Sequence, residues 1–323
     1  MTIELVSNAA EIRQAAEIAE ASHRRLRGNL SWLPPHTIEE FTARIEWMVR
    51  EGRVYALYDA NVINAFLGWF RLDNFRNLGA GALTPDWCSG VRDGLDVTKS
   101  ITPLVRKLLD DLCSDSLGVH AIGLPAASTE LLEEFSLLGW GRIVLDAARP
   151  ATELLDELPP TSDAVNKKGG SLIVRPAKGS DASALALLDT SLAAHIAAAP
   201  VLMPDTHGSS VEEWEEWLGR SDTLTFAAEI SGTIIGFIKA APPQFDVSWF
   251  VHGASTLAIC GLWVNPDFRG INAGSNLLGA LVRAGIEKNF ILVSVDCETH
   301  NPEARAFWLS RFRPVSWSLE RRF

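Results

Sequence analysis

The chain has 323 residues, too many for one ordinary core and enough for two domains. Its 47% hydrophobic and 21% charged content fits a folded globular protein, and a net charge of −11 argues against gripping a nucleic-acid backbone or an anionic membrane. No basic flank precedes an apolar stretch at the start, no segment reaches the roughly 18 apolar residues of a membrane span, and Cys88, Cys113, Cys260 and Cys297 are scattered without metal-ligand spacing. The expectation is a cytoplasmic protein with free thiols and no metal.

In chain order, TIELV reads as a short strand and Ala9–Arg25 as a helix. The hairpin RVYALYDANVINAFLGW follows, its apolar positions alternating around Asp59-Ala60-Asn61. Residues 150–171, PATELLDELPPTSDAVNKKGGS, are polar and without periodicity. They predict a first domain over 1–150, a linker over 151–171 and a second domain over 172–323. The second half repeats the order of the first: SLIVR, a helix over Asp181–Ala198, then the hairpin TLTFAAEISGTIIGFIKA around Ser231-Gly232. Ala65 matches Gly236 at an offset of 171 (236 − 65), Pro85 matches Pro266 at 181 (266 − 85), and Phe135 matches Phe307 at 172 (307 − 135). The near-constant offset predicts a duplication. Each copy is a mixed α/β unit of strand, helices, hairpin, strand–loop–helix, strand, helix and strand.

The strongest motif starts at Cys260-Gly-Leu-Trp-Val264 and runs through Asn-Pro-Asp-Phe-Arg269-Gly-Ile-Asn-Ala-Gly274-Ser275. An apolar strand over Thr256–Val264 leads into a loop with Gly270 and Gly274. A helix follows, with Leu277, Leu278, Leu281, Val282 and Ile286 on one face. A loop of small residues entering a helix N-terminus is an anion cradle, because unpaired N–H groups and the helix dipole point outward there. Arg269 adds a permanent cation. The alternative is a plain strand–turn–helix connection. The motif is neither a Walker loop nor a GxGxxG dinucleotide fingerprint.

Here the sequence resembles the GNAT acetyltransferase superfamily, whose signature Val264, Pro266, Arg269, Gly270, Gly274, Leu277 and Leu278 match. Asn272 replaces the middle glycine and tolerates left-handed backbone better than most residues. A second match is Asn301-Pro-Glu-Ala304-Arg-Ala-Phe307-Trp308, followed by Arg311-Phe312 where the family shows Gly-Phe. The resemblance implies two tandem GNAT-like domains, each a mixed, mostly antiparallel sheet flanked by helices. It also implies acetyl-CoA as donor. The segment Arg269, Gly270, Ile271, Asn272, Ala273, Gly274 and Ser275 would hold the pyrophosphate. Leu262, Trp263 and Val264 would pair with the pantetheine arm and point an N–H at the thioester carbonyl. Asn301 and Trp308 would contact the cofactor from the opposite wall. The first half carries Asp93 and Asp96 near the corresponding position, where carboxylates would repel a pyrophosphate.

The family's tyrosine acid is absent, since Trp308 or Phe307 takes its place and the two tyrosines, Tyr55 and Tyr58, lie in the first half. For a base, the candidates are Glu298 and His300 at the end of the strand before Asn301. Their alternative role is to cap or solvate the next helix. His252 is a weaker candidate, and Cys260 reads as core. Glu213, Trp214, Glu216 and Trp217, on a helix before the second hairpin, are expected near an acceptor site, although for any one of the tryptophans core packing at i, i+3 is the preferred reading. Two functions remain open: a CoA-dependent N-acyltransferase acting on a small-molecule amine, and a CoA-binding module without turnover.

Overall fold

The computed structural model describes residues 1–76, 78–158, 171–204, 206–245 and 247–323. The first half forms β1 (Thr2–Leu5), α1 (Ala9–Asn29), α2 (Ile38–Glu51), β2 (Arg53–Asp59), β3 (Val62–Leu72), β4 (Gly81–Thr84), β5 (Ser89–Val91), α3 (Val97–Ser114), β6 (Val119–Pro125), α4 (Thr129–Leu137) and β7 (Gly141–Pro150). Then come α5 (Ala151–Glu157), β8 (Leu172–Pro176), α6 (Ala182–Ala197), α7 (Val211–Gly219), β9 (Leu224–Ile230), β10 (Thr233–Ala241), β11 (Thr256–Val264), α8 (Ala273–Glu287), β12 (Leu292–Glu298), α9 (Pro302–Leu309) and β13 (Arg313–Arg322). Helix starts follow local chemistry. Asn8 with Glu11, Thr37 with Glu40, and Ser210 with Glu213 each form a capping box, which satisfies otherwise orphaned N–H groups.

Two compact units result. Residues 1–146, 248–251 and 314–323 make the first, and residues 147–247 with 252–313 make the second. The division departs from the boundaries the composition break predicts. β13 belongs to the first unit because it pairs antiparallel with β6, from Ser316↔Pro125 to Arg322↔Val119. Residues 151–157 of the expected linker are the helix α5, which packs against α8 in the second unit. Residues 159–170 of that linker lie outside the described residues.

The two units share a strand order. In the first, β1-β2-β3-β4 are antiparallel neighbours and β4 runs parallel to β6. In the second, β8-β9-β10-β11 are antiparallel and β11 runs parallel to β12. Even an irregularity recurs: the hairpin register skips Asn64 between β2 and β3, and Ile235 between β9 and β10, an offset of 171 (235 − 64). β5, which pairs with β3, is an addition in the first unit.

In the second unit α8 covers one sheet face with Leu277, Leu278, Leu281 and Val282, all fully buried. Each contributes about 1.5–3 kcal/mol through burial. α6 and α7 cover the other face, where Trp214 meets Phe237 edge-on at 5.2 Å and Trp263 joins the same cluster. Trp217 donates to Thr225 Oγ1 at 2.9 Å, and the Glu213 carboxylate accepts from the Ser210 backbone at 2.7 Å. Trp214 is therefore a core residue, and Trp217, half-buried, packs against that core.

Candidate functional site

The site begins with a strand that leaves its neighbour. β11 pairs with β12 only from Thr256↔Leu292 to Ile259↔Val295. Its pairing with β10 jumps from Ala240↔Ile259 to Lys239↔Gly261, so Cys260 is the extra residue of a bulge. A bulge bends its strand. Beyond it, Leu262 to Val264 stay bonded to β10 while the edge toward β12 opens.

β11 ends at Val264, and Pro266 with its fixed φ starts a single 3₁₀ turn over Pro266–Phe268. The loop that follows needs two left-handed residues, Gly270 at φ 81° and Asn272 at φ 61°. Glycine meets the first requirement without strain, and asparagine is among the side chains that tolerate the second. Asn272 then stands at the start of α8 with no side-chain cap, and the first intrahelical bond runs from Asn276 N to Asn272 O at 2.9 Å. The N–H groups of Ala273, Gly274 and Ser275 precede that bond, so the helix presents orphan donors and the positive end of its dipole.

α9 forms the facing wall. Asn301 caps it by accepting from Ala304 N at 3.1 Å, and Pro302 takes the first helical position. Phe307 lies against the start of α8, near enough that a Cβ on Gly274 would stand 3.5 Å from its ring. Arg269 reaches across to pair with Glu303, holds its Nε 3.4 Å from Val264 O, and lies 5.1 Å from the Trp263 ring centre. Between these walls is a cavity of about 490 Å³ within the second unit.

Of the residues expected from sequence, Leu262, Trp263, Val264, Arg269, Gly270, Asn272, Ala273, Gly274, Ser275, Asn301 and Trp308 line this cavity. Ile271, Glu298 and His300 do not. Glu298 is the half-buried last residue of β12, three positions past the last pair with β11, and its carbonyl accepts from Asn301 N at 3.1 Å. His300 is in the turn between Glu298 and the α9 cap. The cavity also takes residues that sequence reading missed. His195 and Leu192 come from the last turns of α6, with His195 5.3 Å from the Trp263 ring. Arg311 comes from the turn after α9. A signal existed for Arg311, since an arginine stands where the family pattern has glycine. His195 offered only the three-residue spacing from Leu192.

The first unit is built differently at the corresponding place. The Asp96 carboxylate caps α3 by accepting from Lys99 N at 3.0 Å, and Asp93 pairs with Arg25. A smaller cavity of about 280 Å³ lies beside these residues. The helix end that α8 leaves open is thus closed in α3 by the chain's own carboxylate.

Comparison with known proteins agrees with this geometry. Residues 192–312 match the model of the Acetyltransferase (GNAT) family. No curated protein sequence matches the chain. Among solved structures, the chain is similar to a GCN5-related N-acetyltransferase from Sphaerobacter thermophilus at 13% identity, covering 99% of this chain and 95% of that one, with a TM-score of 0.60. It is also similar, at 13% identity and a TM-score of 0.54, to the structure of a fungal multi-domain GH3 β-N-acetylglucosaminidase with a GCN5-related glucosamine N-acetyltransferase region, covering 99% of this chain and 38% of that one. Among the described residues no helix is long and apolar enough to cross a membrane. Residues 192–312 thus match a GNAT acetyltransferase domain, and over its whole length the chain shares the fold of a GCN5-related N-acetyltransferase.

Proposed function

We propose that the second unit is a CoA-dependent N-acyltransferase that moves an acetyl group from acetyl-CoA to the amine of a small molecule in the cytoplasm. The observation that carries this reading is the uncapped start of α8, opening into a cavity that the free edge of β11 and the Asn301 wall also line. The N–H groups of Ala273, Gly274 and Ser275 would receive the pyrophosphate. The edge at Leu262–Val264 would hold the pantetheine arm and offer an N–H to the acyl oxygen as charge develops on it. Glu298 and His300 lie outside the cavity lining, at the end of β12 beyond its last pair with β11, and from there Glu298, with His300 near it in sequence, is assigned the removal of the ammonium proton from an acceptor that approaches between the parted strands. Phe307 and Trp308 have no proton to give, so the leaving thiolate takes one from water. The first unit, with Asp96 in its helix end, is assigned a structural role.

The test is calorimetric titration of the full chain with acetyl-CoA, then an amine panel followed by thiol release. One tight site per chain and amine-dependent release are expected. The missing tyrosine favours a second reading, a CoA-binding module without turnover. Binding without release for any amine would support that module, and no binding would overturn both.

A further inference from the structure

The cavity holds two guanidinium groups in different electrostatic states. Arg269 is already paired with the exposed carboxylate of Glu303. Arg311 is not. Its Nη1 donates to Phe307 O and to Ser310 Oγ, each at 2.8 Å, and its Nη2 donates to Ser275 Oγ at 3.1 Å. The guanidinium stacks on the Phe307 ring at 4.1 Å. Among the described residues no carboxylate pairs with it, and partial burial alone draws its pKa below the ordinary arginine value. Holding a half-buried cation without a counter-charge is costly, and an anion brought into the cavity removes that cost.

The hydrogen-bond inventory points the same way. A guanidinium has five donors, and the contacts above use three. Ser275 Oγ accepts from Arg311 and so keeps its own proton to donate. Ser275 is in the first turn of α8, beside the orphan N–H groups. The Arg311 carbonyl accepts from Arg149 Nη1 at 2.9 Å, which fixes the backbone that carries the side chain.

We infer that Arg311, together with Ser275, is the main cationic anchor for a phosphoryl group of the acyl donor, and that Arg269, held by Glu303, is secondary. This rests on the proposed reading of the cavity as a CoA site. It assigns a residue at the position where the family pattern has glycine.

The experiment titrates the full chain with CoA, 3′-dephospho-CoA and inorganic pyrophosphate, for the natural protein and for Arg311→Gln, Arg311→Lys, Arg269→Gln and Glu303→Gln. Loss of a charge-assisted bond to a phosphate weakens binding about ten- to a hundredfold, so Arg311→Gln falls by that factor and Arg311→Lys by less. Arg269→Gln falls less than Arg311→Gln, and Glu303→Gln, a change on the exposed face, tightens binding. Equal losses for CoA and 3′-dephospho-CoA assign the contact to the pyrophosphate, whereas a loss for CoA alone assigns it to the 3′-phosphate. Unchanged binding by a folded Arg311→Gln, or a larger loss in Arg269→Gln, overturns the inference and leaves the CoA reading intact. Arg311-dependent binding of pyrophosphate without binding of CoA has the opposite meaning: the anchor stands and the acyltransferase reading falls. Failure to bind any of the three probes overturns both.

Discussion

Gly274→Asp separates the stability of α8 from the function of its N-terminus. Gly274 is the second residue of the helix, and a Cβ there would stand 3.5 Å from Phe307 and 3.9 Å from Leu262, ordinary contact distances. The side chain therefore fits the free protein. The first turn of α8 has no acidic residue and no side-chain cap, so a carboxylate there stabilises the helix by about 0.3–1 kcal/mol. That corresponds to an unchanged Tm or one raised by about 1–4 °C. The same charge opposes a pyrophosphate. At about 5 Å and an effective dielectric of about 20, each unit-charge pair costs roughly 3 kcal/mol, a hundredfold in Kd. The substitution makes α8 resemble α3, where Asp96 already closes the helix end. Calorimetry with acetyl-CoA and a thermal melt read the two effects, and Gly274→Ala controls for bulk. The reasoning is refuted if Gly274→Asp binds acetyl-CoA as the natural protein does, or if it loses binding only because it no longer folds.

Glu298→Gln lowers kcat/KM by about 10²–10⁴-fold and flattens its rise with pH if Glu298 takes the acceptor's proton; an unaffected variant removes Glu298 from the mechanism. Replacing Tyr55 and Tyr58 by Phe leaves kcat intact in an amine-acetylation assay. It costs about 1–2 kcal/mol in a denaturant titration, because the Tyr55 hydroxyl donates to Asp111, which Lys107 and Arg53 also hold. A large fall in kcat with folding intact would contradict this. His120 is fully buried, with Nδ1 accepting from Trp140 Nε1 at 3.0 Å and Nε2 3.0 Å from Thr84 Oγ1, and burial pushes its pKa down to about 3. The unfolded chain binds that proton first, so the stabilisation is complete above about pH 6.5 and is lost as pH falls toward 3. His23, lowered to about 3, acts in the same direction, and Asp86, raised to about 6, acts in the opposite one. The net change is close to one histidine, a fall of about 3 kcal/mol between pH 6.5 and 4. Urea titrations at pH values across that range check it, and stability that is flat or rising on acidification would refute it.

The sequence by itself carried whatever a short window of residues controls. The alternation of RVYALYD and INAFLGW, and of LTFAAEI and TIIGFIKA, predicted the hairpins, because side chains along a strand face opposite sides in turn. The strand over Thr256–Val264, the turn at Pro266 and the apolar stripe of the next helix were legible for the same reason, and with them most of the residues that line the cavity. The duplication was legible because a repeated order of elements leaves a constant offset. Only the tertiary structure decided which residues come together from a distance. Arg311 meets Ser275 across 36 residues, and Arg269 meets Glu303 across 34, so no local periodicity could reveal either pair. The i, i+3 spacing of Trp214 and Trp217 favours core packing, but only the fold identifies Phe237 as the partner of Trp214. The last strand, contiguous in sequence with the second half, belongs to the first unit because its hydrogen-bond partners run along β6. A strand's own pattern specifies that it needs a neighbour; which neighbour it takes is settled by the packing of the whole chain.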